Sequence, residues 1–114
     1  MERLTIDPVP VSTAEGFASH AERHVLCPVC KFNYTHIQAV RVLQNDRTDT
    51  ISSGGHVESP GEKRPDRGSA VELRMWCEGG HAFSVWFSFH KGNTSMFAHT
   101  RGDAPKDSDE LWRD

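Results

Sequence analysis

Cys27-Pro28-Val29-Cys30 and Cys77-Glu78-Gly79-Gly80-His81 hold all three cysteines of the chain and one of its seven histidines. A Cys-x2-Cys turn sets two thiolates on one side of an ion, and zinc takes sulfur and nitrogen donors in a tetrahedron. The second stretch offers a thiolate and an imidazole on one tight turn, with Gly79 and Gly80 giving the backbone freedom to aim both inward. Cys27, Cys30, Cys77 and His81 are therefore the candidate ligands of one Cys3His zinc site. Four protein donors would fill the shell, so the site is expected to be structural and to contribute folding free energy. His24, His36 and His56 are rival fourth ligands, His36 foremost because it follows the first knuckle closely. Two other readings compete: three buried thiols without metal, or a Cys27–Cys30 redox pair. A redox pair favours a helix start in a βαβ setting, and the residues after Cys30 read as strand.

Strand patterns surround both half-sites. Thr35–Gln44 is rich in Ile37, Val40, Val42 and Leu43 and contains no breaker. Over 70–76, Val71, Leu73 and Met75 alternate with Glu72 and Arg74, which marks a half-buried strand running into Cys77. Phe83–His90 alternates again, with Val85, Phe87 and Phe89 on one face and Ser84, Trp86, Ser88 and His90 on the other. Lys91-Gly92-Asn93 is a turn signal, and Thr94–Thr100 reads as the last strand. The expected fold is mainly β, a zinc-ribbon-like antiparallel sheet spanning 24–100, with a three-strand meander in its second half.

The rest of the chain is less patterned. Residues 1–23 read as an arm with Pro8 and Pro10. Ala14, Phe17, Ala18 and Ala21 follow a Ser12/Glu15 capping-box spacing and predict a short helix near 13–22, against an irregular lead-in whose Phe17 covers the core. Residues 45–69 read as a long flexible loop, with Ile51 and Val57 as their main apolar residues, although a short irregular hairpin around Gly54-Gly55 fits as well. Lys63, Arg64 and Arg67 there are interleaved with Glu58, Glu62 and Asp66, which favours a solvated loop over an anion-binding patch. Residues 101–114 form an acidic tail in which Leu111 and Trp112 stand apart. The tail reads as frayed, or as docking Trp112 onto its own domain, more readily than as a docking motif.

The totals bound the function. A chain of 114 residues that is 36% hydrophobic makes one domain with a small core, the kind that needs a staple. The net charge of -3 argues against non-specific nucleic-acid binding. An odd number of cysteines makes a closed disulfide framework a poor fit. Residues 1–11 lack a secretory pattern and no apolar run is long enough to span a membrane, so a cytoplasmic, reducing setting is expected.

Cys27-Pro28-Val29-Cys30, Trp76-Cys77-Glu78-Gly79-Gly80-His81 and His90-Lys91-Gly92-Asn93-Thr94 together resemble a set of small uncharacterised zinc-ribbon proteins from actinobacteria and their phages. The resemblance covers residues 24–97, and the His90–Thr94 turn is its most distinctive part. It implies a zinc-binding β fold and an origin in a phage or mobile element. It implies no activity.

The expected function is a non-enzymatic zinc-stabilised binding module that docks on a protein partner or on itself. Trp76, Trp86 and Phe97 read as a contact face, with His90, Lys91 and Thr94 at the neighbouring turn. The competing reading has these aromatics covering the reverse of the sheet under the N-terminal arm. A second function, nucleic-acid binding, would use Arg41, Arg74, Lys91 and Arg101. A third, a metal enzyme, would need an open zinc position. His90, Lys91, Thr94 and His99 are the residues that could do acid–base work, but they lack a nucleophile with an orienting base.

Overall fold

The computed structural model describes residues 7–12, 23–65, 68–104 and Leu111. They form β1 (Thr35–Leu43), β2 (Arg47–Ser52), β3 (Gly55–Pro60), β4 (Ala70–Cys77), β5 (His81–His90) and β6 (Asn93–Asp103). These strands make one sheet in the order β3-β2-β1-β4-β5-β6. Every pairing is antiparallel, so the fold is mainly β as the alternation predicts. No helix occurs among the described residues, and the helix expected near 13–22 falls outside them.

Residues 45–69 depart from the loop reading. They contain the hairpin β2–β3, with Ser52 opposite Gly55. The hairpin is polar on both faces, which is why no alternation betrays it. Charged side chains tie it together: Arg47 bonds Asp49 on its own strand at 3.0 Å and Glu58 on the facing strand at 3.2 Å, and His56 lies 2.8 Å across from Asp49. One residue anchors it inward, since Thr48 is fully buried opposite Leu43. The last strand also runs past the expected boundary at 100, to Asp103.

The β5–β6 connection explains the His90–Thr94 motif. His90 pairs with Asn93, leaving Lys91 and Gly92 as a two-residue loop. Both have positive φ, 51° and 82°, which is the type I′ turn that matches strand twist.

Register divides the sheet into two unlike faces. On one, Ile37, Leu73, Met75, Phe83, Val85 and Phe87 pack with Val9, Val25 and Cys27 from the chain before β1. That lead-in is pinned at three points. Asp7 pairs with Ala98 on β6, Val11 bridges Val25, and Thr35 donates to the Val25 carbonyl at 3.1 Å.

The other face carries Arg41, Glu72, Arg74, Ser84, Trp86, Phe97 and His99, set side by side by the β1–β4–β5–β6 register. Glu72 is 1% exposed. It accepts from Arg41 at 2.8 Å, from Arg74 at 3.2 Å and from the Ser84 hydroxyl at 2.6 Å. Arg41 reaches further, to Glu62 in the segment after β3. Burial pushes the Glu72 carboxyl up, but the Ser84 hydroxyl, Arg74 and Arg41 outweigh it and hold the group below the usual carboxylate range. At the tail, the Leu111 N–H donates to the Ile37 carbonyl at 2.6 Å, beside the β1 irregularity between Ile37 and Ala39. The chain therefore returns to its own sheet at this residue.

Glu72→Gln should destabilise the domain by about 3 kcal/mol at neutral pH, because it leaves the buried Arg41 short of a counter-charge. The double variant Arg41→Met/Glu72→Leu should recover most of that loss in chemical denaturation. The Glu72 contribution is present above the unfolded carboxyl value of about 4.3 and disappears as pH falls through the lower folded value. Lys91→Asn, which suits a left-handed turn position better, should raise stability by about 0.5 kcal/mol in the same assay.

Candidate metal centre

The β1–β4 register brings the half-sites together. Thr35, at the start of β1, faces Cys77, at the end of β4. The knuckle that precedes β1 and the turn that follows β4 are therefore at the same end of the sheet. There Cys27, Cys30, Cys77 and His81 offer ligand atoms that all lie within 4.8 Å of one another. This is the grouping expected from the spacing, and these residues could hold a metal ion.

The spacings fit a tetrahedral ion. Zinc–sulfur bonds of about 2.3 Å imply sulfur–sulfur edges of about 3.8 Å, and a zinc–nitrogen bond of about 2.0 Å implies sulfur–nitrogen edges of about 3.5 Å. Cys30 Sγ and Cys77 Sγ are 3.7 Å apart, and Cys77 Sγ is 3.5 Å from His81 Nδ1. A disulfide would need about 2.05 Å, and all three thiols are free.

Each turn is shaped for this approach. The Lys31 N–H donates to the Cys27 carbonyl at 2.8 Å and closes the first knuckle, with Lys31 at φ 63°. The Val29 N–H points at Cys27 Sγ, 3.4 Å away. In the second turn the Gly80 N–H donates to the Cys77 carbonyl at 3.0 Å. Gly79 lies against the sulfurs: a Cβ there would sit 3.3 Å from Cys30 Sγ and 3.4 Å from Cys77 Sγ.

The thiols of the first knuckle differ in acidity. Burial pushes Cys27 up to about 11, against the lowering effect of the Cys30 and Val29 N–H groups. The exposed Cys30 is drawn down to about 7, chiefly by the Phe32 N–H. A cation would be needed to hold Cys27 as thiolate in its apolar setting, beside Met75 and Phe83.

Two of the rival fourth ligands, His36 and His56, are engaged elsewhere through their rings. His36 stacks on Trp76 with centroids 4.3 Å apart and places Nε2 2.8 Å from Glu78. His56 belongs to the β2–β3 ladder through Asp49. At His24 it is the backbone N–H that donates to Ser12 Oγ, at 2.9 Å. None of the three belongs to the ligand group. The Glu78 partnership of His36 has no signal in the sequence, because it depends on the β1–β4 register.

The expected contact face is corrected by burial. Trp76, Trp86 and Phe97 are only 7%, 5% and 9% exposed. Trp86 and Phe97 stack at 6.3 Å and pack with Leu43 and Ala70. They lie on the face opposite Val9 and Val25, so the described part of the N-terminal arm does not cover them. Lys91 and Thr94 are exposed, while His90 is half-buried at the turn. His99 faces Ser84, six residues along β5 from His90 and roughly 20 Å away, so the four do not form an acid–base cluster. Of the basic residues considered for nucleic acid, Arg41 and Arg74 bond Glu72, and Arg101 bonds the Met75 and Phe83 carbonyls at 3.3 Å. Apolar side chains instead open to solvent beside the first knuckle: Val29, Phe32 and Tyr34, with the last two rings 5.4 Å apart.

Comparison of the chain with protein-family models, with curated proteins and with solved structures gives no significant match. No helix among the described residues is long and apolar enough to cross a membrane.

Cobalt titration should give the intense visible bands of a tetrahedral thiolate site at one equivalent. Cys27→Ser and Cys77→Ser should lose that signature. His81→Ala should weaken binding by more than about 100-fold, beyond what loss of an outer-shell group does. Gly79→Ala should weaken it as well by forcing the sulfurs apart, and His36→Ala should leave the spectrum intact.

Proposed function

We propose that this chain is a small zinc-stapled binding module without enzymatic activity, acting in the cytoplasm by docking on a protein partner. The observation that carries this reading is the closed donor set. Three sulfurs and one imidazole at tetrahedral spacing suit zinc better than hard cations, which prefer oxygen. Four protein donors leave no position for a substrate or an activated water, so the metal's role is to hold the fold. Structural zinc binding is worth about 10–16 kcal/mol in zinc-finger peptides, as much as the whole stability of a typical domain. A domain with so small a core would rest on it.

The docking surface is best sought beside the metal. Phe32 and Tyr34 are exposed aromatic residues just after Cys30, and the ion would fix their backbone. A phage or mobile-element origin rests on the resemblance of the knuckles and the His90–Thr94 turn alone.

Purified protein should contain one zinc per chain, and chelation should abolish its β-sheet circular dichroism. Zinc-loaded protein used as bait should retain a protein partner at about 0.5 M salt, where surface electrostatics are screened. Phe32→Ala/Tyr34→Ala bait should bind zinc equally well and lose that partner. A metal-free folded protein, or retention only of nucleic acid in a salt-sensitive manner, would overturn the reading.

A further inference from the structure

The outer edge of β3 is open. The Gln44 N–H donates to the Arg47 carbonyl at 2.9 Å, so the odd-numbered residues of β2 bond toward β1. The even-numbered residues therefore bond toward β3, and the Gly61 N–H on the Asp46 carbonyl, at 3.2 Å, continues that order. Through the β2–β3 register, Val57 and Ser59 direct their backbone groups at β2. His56 and Glu58 turn theirs outward, and among the described residues no chain pairs with them. Pro60 also faces outward, where its missing N–H removes no bond of the ladder.

The side chains of this edge suit a copy of itself. Gly55, His56, Val57 and Glu58 are all exposed. Val57, at the centre, is 60% exposed on the Arg41 face. His56 and Glu58 flank it on the arm-side face, beside Ile51 and Asp49. Sheet edges are normally blunted by charge, proline or a covering segment. At the other edge Asp7 covers β6 at Ala98. On β3 the proline stands only at the last residue, and the two ionisable residues are of unlike kind. Such an edge repels a copy set in the wrong register and accepts one set in the right register.

We propose that this edge binds a second copy of the chain, β3 against β3, antiparallel about a two-fold axis through Val57. In this register His56 of each copy faces Glu58 of the other, and the outward-turned residues exchange their free backbone hydrogen bonds. Because the two-fold is perpendicular to the sheet, both copies present the same face on the same side. Each imidazole then stands across from a carboxylate, and the two Val57 side chains meet on the axis in the close contact of a non-hydrogen-bonded pair. An axis through His56 would set imidazole against imidazole. One through Glu58 would set carboxylate against carboxylate and ask Pro60, opposite His56, for an N–H it lacks. The second copy's turn at Ser53-Gly54 comes beside Pro60 and Gly61. That side is clear of the described chain, because the Gly61 N–H is held inward on Asp46 and Glu62 turns onto the sheet face, to Arg41. The contact is isologous and closes at two copies, leaving β6 near each end of one continuous sheet. The inference goes beyond docking at the first knuckle and uses a different surface.

The test uses the full, zinc-loaded chain. Sedimentation should give a concentration-dependent dimer. Val57→Lys sets two ammonium groups on the axis and should weaken association at least tenfold, and Met96→Lys on the β6 edge should leave it unchanged. Val57 would lie opposite its own symmetry mate with Cα atoms about 4.5 Å apart, within disulfide reach. Val57→Cys should therefore cross-link two chains under mild oxidation. Ser59→Cys should not, since its mate would lie four residues along the ladder, roughly 13 Å away. Zinc content and circular dichroism are measured on the same samples, so failure of the metal site or of the fold registers separately. A monomer at all concentrations, a dimer unaffected by Val57→Lys, or no cross-link through Val57→Cys would each overturn the proposal.

Discussion

Cys30 Sγ comes within 3.7 Å of Cys77 Sγ across 47 positions of sequence. Four of the sheet's five strand pairings, β1–β2, β2–β3, β4–β5 and β5–β6, are hairpins joined by short turns. The β1–β4 pairing is the distant one, and it must close a loop containing the whole β2–β3 hairpin before any of its contacts form. A metal held between the knuckle before β1 and the turn after β4 would clip that loop at its open end. The first knuckle is also where the N-terminal lead-in meets the sheet, since Cys27 is buried with Met75, Phe83 and Val85. One ion would thus fix the distant strand pair and the cover of the arm-side core together.

The opposite face is held by different chemistry. Its central strands bury Arg41, Glu72 and Ser84 where an ordinary small sheet would bury aliphatic residues. The ladder places Arg41 across from Glu72, and Arg74 across from Ser84, so the charges are paired by strand register. A slip of one residue would send the apolar set to this face and the ion pairs to the other. The network adds little net stability compared with an apolar packing of the same volume, but it discriminates strongly against the wrong register. That is useful in a chain whose β2 and β3 strands specify register only through surface charges and one buried threonine.

This division explains what could be read in advance. The knuckles were legible because metal ligands are constrained in type and spacing, β4 and β5 because apolar and polar residues alternate, β1 because it is rich in β-branched residues without a breaker, and β6 because a turn signal precedes it. The hairpin β2–β3 was not, because Arg47–Ser52 and Gly55–Pro60 are stabilised by cross-strand charge pairs that leave no hydrophobic period. The exposure of Trp76, Trp86 and Phe97 was misjudged for a related reason. Their face is interleaved with Glu72, Arg74, Ser84 and His99, and polar neighbours read as solvent in a sequence. They mark a buried ionic layer here, and that layer becomes apparent only when the register sets Arg41 beside Glu72. The choice of His81 over His36 turned on Glu78, a residue whose role is set by a strand more than 40 positions away.

The sheet is consequently uneven from end to end. At the metal end both faces are closed: the arm covers one, and on the other His36 lies flat on Trp76 with Leu111 bonded to the neighbouring Ile37 carbonyl. At the far end, Phe89 and Met96 stand half in water, and among the described residues no chain pairs with the β6 edge at Thr94 and Met96. A metal staple acts only within reach of its ligands, and its free energy cannot order strands at a distance except through the packing between them. In the far half that packing is thin on the arm side, where Val42 and Val71 floor an open groove in place of a covered core. Local stability should therefore fall along β5 and β6 away from Cys77. The part of the fold least secured by the metal is the part whose apolar surface and free backbone groups gain most from a contact outside the chain.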